Sequence, residues 1–263
     1  MGFGIRSEIS YFMKQQHYAW KGLLTYRANA ALFFLTSSFS VLSAFITISV
    51  IYQVSSGIAG WNYYQMLFLA ATGSLAFWAV GYLINPWAIV QGMQRGSLDP
   101  YLLRPYGRIT VLLSNNYSNV SNVSIISGLV LLIYAASHVS FGPLFLLEYA
   151  SLLVIGTIAI VLFILMLSLL AYHVMKSANS VQRLLNLSQS ISTYPLSVYG
   201  LVGQLAFTLL FPIGLAYYYP STVLLGEVSP VTFAAVAGLS MLMVALSYSA
   251  CNHLMKKYTS GGG

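Results

Sequence analysis

The chain has 263 residues, of which 58% are hydrophobic and 6% charged, with a formal net charge of +7. A water-soluble globule is excluded, because its surface would need several times more charge, so lipid must be the solvent. The basic excess sits beside apolar ends, which assigns it to anionic headgroups and membrane insertion and argues against nucleic acid.

Six apolar stretches of about 20 residues use about half the chain and leave room for one domain, residues 1–263. The eleven Lys and Arg residues fall between them in four clusters: Arg6, Lys14, Lys21 and Arg27; Arg95, Arg104 and Arg108; Lys176 and Arg183; Lys256 and Lys257. Alternate connections hold none. By the positive-inside rule the clusters are cytoplasmic, both termini lie inside, and the number of crossings is even. The expected fold class is an all-α integral membrane protein of the cell (inner or plasma) membrane, with six transmembrane helices and an N-terminal interfacial amphipathic helix.

In chain order, residues 1–27 read as a cytoplasmic interfacial helix. Ile5, Ile9, Phe12, Met13, Trp20, Leu23 and Leu24 share one face, with Tyr11, Lys14, Tyr18 and Lys21 opposite. A basic tail without function is the alternative. The segment is long and aromatic and is not followed by a short apolar core with a small-residue cleavage point. The first span is therefore expected to act as its own insertion signal.

The spans are expected at Ala28 to Val54, Tyr63 to Ile84, Ile109 to Ala136, Pro143 to His173, Tyr194 to Leu215 and Pro230 to His253. Outer connections are short: Ser55 to Asn62, Ser137 to Gly142, and a longer loop over 216–229. That loop carries Glu227 and an apolar run, Val223 to Leu225, that suits re-entry into the outer leaflet. Cys251 is the one cysteine, so no internal disulfide forms. His17, His138, His173 and His253 are scattered without metal-ligand spacing, and no metal site is expected.

No ionisable side chain falls near the middle of a span. Placing one there costs about 2.5 to 3.5 kcal/mol on insertion scales, and it is retained mainly for ion relays or ligand pairing. Its absence argues against a proton-coupled or sodium-coupled carrier. The third span opens with Ser114, Asn115, Asn116, Ser118, Asn119, Ser121, Asn122 and Ser124. Asn115, Asn119 and Asn122 fall within about 60 degrees of one another, with Ser118 at the margin. Amides avoid lipid, so the stripe faces another helix, a dimer interface or a wet translocation path. Glycosylation-like triplets begin at Asn116, Asn119 and Asn122, but an acceptor inside a membrane is inaccessible.

The cytoplasmic loop from Pro86 to Arg108 has its own punctuation. A short helix begins near Trp87 and is interrupted by Gly92 and Gly96. Asp99 is placed to cap a second turn with Pro100 in its first position, and Pro105 ends that turn at Arg104. The product is a short helix along the inner membrane edge, with Leu98, Leu102 and Leu103 as apolar knobs and Arg95 and Arg104 as charged flanks. It suits docking into a groove on a soluble partner, and an ordinary structured loop would also account for it.

The run Gly96-Ser97-Leu98-Asp99-Pro100-Tyr101-Leu102-Leu103-Arg104-Pro105 resembles the loop signature of six-helix permease subunits of ATP-binding cassette exporters, type-2 class. Weaker matches are Tyr26-Arg27, Tyr194-Pro195, Pro212, Tyr219-Pro220, Leu225-Gly226 and the terminal Tyr258-Thr259-Ser260-Gly261. The resemblance implies a permease that pairs with a second copy or a related permease and binds two copies of a separate ATPase subunit. Arg95, Gly96, Leu98, Asp99, Leu102, Leu103, Arg104 and Pro105 would form the coupling loop. ATP and Mg would be bound by that partner, since the chain has no phosphate-binding Gly-x-x-x-x-Gly-Lys-Ser/Thr loop and no catalytic set of its own. The segment Val90 to Arg95 departs from the family pattern in lacking an acid, leaving Asp99 as the only local countercharge. The competing reading is a secondary carrier or channel acting without an ATPase.

Overall fold

The computed structural model describes residues 4–25, 27–55, 57–115, 121–142, 144–175, 178–223, 226 and 228–259. These residues form helices, with a single bridge between Ile58 and Trp61. In order they are α1 (Ile5–Thr25), α2 (Arg27–Val54), α3 (Tyr63–Leu83), α4 (Pro86–Gln94), α5 (Asp99–Leu102), α6 (Arg108–Asn115), α7 (Ser121–Ala136) and α8 (Phe145–Leu170). After a π-helical turn (Ala171–Met175) come α9 (Ala178–Ile191), a 3-10 turn (Leu196–Tyr199), α10 (Gly200–Leu205), a second π turn (Ala206–Leu210), α11 (Gly214–Thr222) and α12 (Pro230–Lys256).

Four helices among the described residues are long and apolar enough to cross a membrane: Ala30–Val54, Tyr63–Gln94, Leu146–Val174 and Pro230–Lys256. Two shorter apolar segments, Ile125–Ala136 and Leu196–Leu210, accompany them. The all-helical membrane fold expected from composition is therefore borne out. The apolar surface is arranged as a lipid-solvated bundle requires. Helix α2 exposes Leu32, Leu35, Phe39, Leu42, Ile46 and Val50 along its length, whereas α3 buries Met66 to Gly73 on every side. In hydrocarbon the exposed face is already solvated, so packing rather than burial from water selects the interior.

Helices α3 and α8 form the centre. Helix α3 packs on α7, α11, α2 and α8, while α8 packs on α12 and α11. The start of α3 is fixed by a reciprocal cap. The Gln65 N–H donates to Asn62 Oδ1 at 3.0 Å, and the Asn62 N–H donates to Gln65 Oε1 at 2.9 Å. Helix α12 begins on Ser229, whose Oγ accepts from the Thr232 N–H, with Pro230 in the first turn.

The fifth crossing departs from expectation. The stretch Tyr194 to Leu215 is a chain of 3-10 turn, short helix, π turn and bend. Its apolar part, Leu196–Leu210, would reach about 22 Å as α-helix, short of the hydrocarbon core of about 30 Å. Residues between the expected fourth and fifth spans form α9, which packs on α4, α8 and α3. The end of α9 lies half-way along α3, because a Cβ on Gly73 would sit 2.7 Å from the Ser192 carbonyl oxygen. Helix α11 carries on from that level, with the Tyr217 hydroxyl donating toward Tyr194 O at 3.2 Å and Tyr218 against Trp61 at the far end of α3. Residues Gly214 to Tyr218, expected as the end of a span and the start of a loop, are all buried. Hydropathy misassigns both pieces: α9 keeps one buried apolar face, Val181 and Leu185, beside the polar residues Arg183, Asn186 and Gln189.

Candidate functional site

The loop between α3 and α6 folds back on itself. Asn85 caps α4 by accepting from the Ala88 N–H at 3.1 Å, and Pro86 takes the first helical position. Gly96 turns the chain with a φ of +67, a left-handed value that favours glycine. Leu98 then folds onto Gly92, where a Cβ would lie 2.8 Å from Leu98 Cγ.

Two expectations for this loop are corrected. Leu98 is not a surface knob: it is 6% exposed and packs in the main core with Ile89, Val90 and Met93. Asp99 does not cap α5 either. The N-cap position is Leu98 and makes no side-chain cap bond, while Asp99 is the first helical residue. Its Oδ1 accepts from the Tyr258 hydroxyl at 2.6 Å. That hydroxyl is also 3.3 Å from the Met93 carbonyl. Burial, and then the adjoining Asp99 carboxylate, push the Tyr258 hydroxyl above the usual tyrosine range, so it stays a donor through neutral pH.

Arg104 is held from the other side. Its Nη1 donates to the Tyr11 hydroxyl at 2.8 Å, and its guanidinium carbon lies 4.9 Å from the Tyr101 ring centre. Asn115 Nδ2 donates to the same Tyr11 oxygen at 2.9 Å and to Val111 O at 2.8 Å. Tyr11 stacks on Tyr106 with centroids 4.1 Å apart, and Glu8 Oε1 accepts from the Gly107 N–H at 2.8 Å. Tyr11 and Ala19 face the protein, while Ile5, Ile9, Met13 and Trp20 point away from it. Glu8 also supplies an acid beside the loop that sequence distance hides, so Asp99 is not the only local countercharge.

What remains free of the core is a compact face. Leu103 is 86% exposed, Arg95, Ser97, Pro100, Tyr101 and Pro105 are exposed, and Leu102 and Arg104 are half-buried. Of the amide stripe, Asn115 is engaged with α1 as described. Ser118, Asn119 and the side chain of Asn122 lie outside the described residues, as does the Asn116 triplet. Sequence reasoning misses the polar face of α9, where Arg183, Asn186, Gln189 and Ser190 are exposed and Gln182 Nε2 donates to Asn186 Oδ1 at 3.2 Å. Its signal is present in the periodicity of Val181, Leu185, Ser188 and Ser192, which repeats as one helical face. Among the described residues no group of three His, Cys, Asp or Glu comes together as a metal site.

The described residues thus form a helix bundle with one capped, well-anchored loop between α3 and α6. The family described as ABC-2 family transporter protein matches residues 39–262, which takes in the loop and all the later helices. The chain belongs to that family and is the membrane-spanning permease component of ATP-binding cassette transport. No curated protein and no solved structure matches it.

Proposed function

We propose that the chain is the permease subunit of an exporter, with the loop from Pro86 to Arg108 on the cytoplasmic side as the surface on which a separate ATPase subunit docks. The observation that carries this reading is Leu103, a large apolar side chain 86% exposed beside Arg95 and Pro105, on a turn whose other side is anchored by buried Leu98. An apolar residue lifted clear of the core on a rigid turn is built for a groove. The basic flank suits an acidic rim on that groove. ATP and Mg are bound by the partner, two copies of which serve a pair of permeases. The pair is a second copy or a related chain.

In this arrangement α1 lies in the inner headgroup layer, its Ile5–Ile9–Met13 stripe in lipid and its Glu8–Tyr11 face on the loop. The exposed face of α9, where Arg183, Asn186, Gln189 and Ser190 stand beside Leu184 and Leu187, reaches half-way along α3, and lipid is a poor solvent for its polar groups. It faces the translocation path between permeases. The lack of ionised groups near the middle of the long spans supports a force supplied by ATP rather than by an ion gradient.

The test is Leu103→Asp in the full chain. Insertion and thermal stability are expected to stay within about 0.5 kcal/mol of wild type, as for an exposed site, while retention of the co-purifying ATPase falls at least about tenfold. Leu98→Ala is the contrast, losing about 2 to 4 kcal/mol of stability through its buried contacts. Undiminished ATPase retention in Leu103→Asp removes the loop from its assigned role. Movement of substrate along an ion gradient by the purified chain alone favours the carrier reading.

A further inference from the structure

The end of α12 is held by residues from two distant parts of the chain. Arg108 Nη1 donates to the Met255 carbonyl at 3.0 Å, and His173 Nε2 lies 3.1 Å from the Leu254 carbonyl. Both carbonyls belong to the last turn, where they also accept from the Lys257 and Tyr258 N–H groups at 3.1 and 3.4 Å and where positive partners such as Arg108 are favoured. Beyond the helix, the Tyr172 hydroxyl donates to the Thr259 carbonyl at 2.9 Å, and the Tyr172 and Tyr258 rings lie 5.5 Å apart. Tyr258 in turn holds Asp99.

These partners are not scattered in the architecture. Arg108 opens α6 just after the motif, and Tyr172 and His173 sit in the π-helical turn that ends α8. Wide turns of this kind are uncommon and concentrate where a helix must yield. A load placed on α5 reaches α4 and α6 through the covalent chain. Helices α4 and α6 in turn touch α8 and α12, which pack tightly on each other. The Tyr258 hydroxyl adds a direct bond from the α5 turn itself to the end of α12.

We propose that Tyr258 is a positioning residue for energy coupling, latching the Asp99 turn to the end of α12 so that displacement of the loop is delivered to α12 and α8 together. This rests on the loop being the ATPase docking surface. Tyr258 lies behind that surface, and its removal leaves the docking face in place.

The test uses the full chain in nanodiscs with the ATPase subunit that co-purifies with it from native membranes, comparing wild type, Y258F and D99N. Y258F keeps the ring against Tyr172 and loses only the hydroxyl. D99N leaves a neutral acceptor in place of a charged one. ATPase affinity is expected within about twofold of wild type in Y258F, while permease-dependent stimulation of hydrolysis falls at least about fivefold, with D99N between the two, as the strengths of the bonds order them. Amide exchange over Leu254 to Thr259 should quicken about tenfold in Y258F, and its response to ATP trapping should vanish while the response over Gly96 to Arg104 persists. Stimulation and exchange equal to wild type in Y258F overturn the latch. A loss of affinity that parallels the loss of stimulation overturns it as well, since Tyr258 would then be part of docking. An ATPase that fails to bind the wild-type chain overturns the docking reading, and the latch falls with it.

Discussion

The crossing of α8 and α11 makes a test of the interior in which one chemical change has opposite signs at two sites. A Cβ on Gly156 would collide with the Leu215 carbonyl oxygen and lie 2.5 Å from its carbon and 3.0 Å from Ala216 Cα. The obstructing atoms are backbone, so relief means moving α11 by about an ångström rather than rotating a side chain. Overpacking of that kind costs about 1 to 3 kcal/mol, against about 0.5 to 1 kcal/mol gained by replacing glycine in a helix. Gly156→Ala is therefore expected to lose about 1 to 2 kcal/mol net. At Gly238 on α12 an added methyl would meet open space, with no neighbour within 4 Å, so Gly238→Ala keeps the gain. Thermal unfolding of the purified chain in one detergent, read side by side, should show Gly156→Ala falling by about 4 °C and Gly238→Ala level or higher. A Gly156→Ala protein as stable as Gly238→Ala would refute the close approach of α11, and with it the assembly of the fifth crossing from two pieces.

Two further substitutions probe the site. Tyr11→Phe removes the oxygen shared by Arg104 and Asn115 while keeping the stack on Tyr106, and about 1 to 2 kcal/mol of stability should go with it, seen as faster amide exchange over Arg104 to Asn115; exchange unchanged there detaches α1 from the loop. Asn186→Leu on the exposed face of α9 should leave the unfolding midpoint unmoved and lower ATP-dependent transport by the assembled complex at least about threefold; a rise in stability with full transport would mean that this face meets lipid.

Much of this architecture is legible in the residues. The basic clusters lie between the long apolar helices or at their ends because Lys and Arg avoid hydrocarbon whatever the tertiary fold, and Gly96, Pro100 and Pro105 punctuate the loop through their own backbone restrictions. The errors share a cause. Leu196–Leu210 is apolar enough to be taken for a crossing, but hydropathy reports what solvates a segment and not its depth or straightness. Helix α9 has the opposite defect, being half polar, so a scale that averages over its faces returns a loop. The periodicity of α1 groups Tyr11 with Lys14, Tyr18 and Lys21 and carries no sign that its hydroxyl serves Arg104 and Asn115. Local capping rules put Asp99 at the start of a turn and take no account of a tyrosine 159 positions further along the chain.

The jointed fifth crossing has a consequence for the membrane in which the protein works. A one-piece helix meets a thicker or thinner bilayer by tilting or by deforming the lipid around it. Helices α9 and α11, of 14 and 9 residues, together reach about 35 Å, and neither is long enough alone. Their overlap is set where the Tyr217 hydroxyl lies 3.4 Å from Ile191 O and 3.2 Å from Tyr194 O, so that one donor serves two acceptors across the seam. Sliding there by a single residue changes the reach by about 1.5 Å. A bilayer of another thickness therefore finds in this seam a joint that the continuous helices α3 and α8 lack.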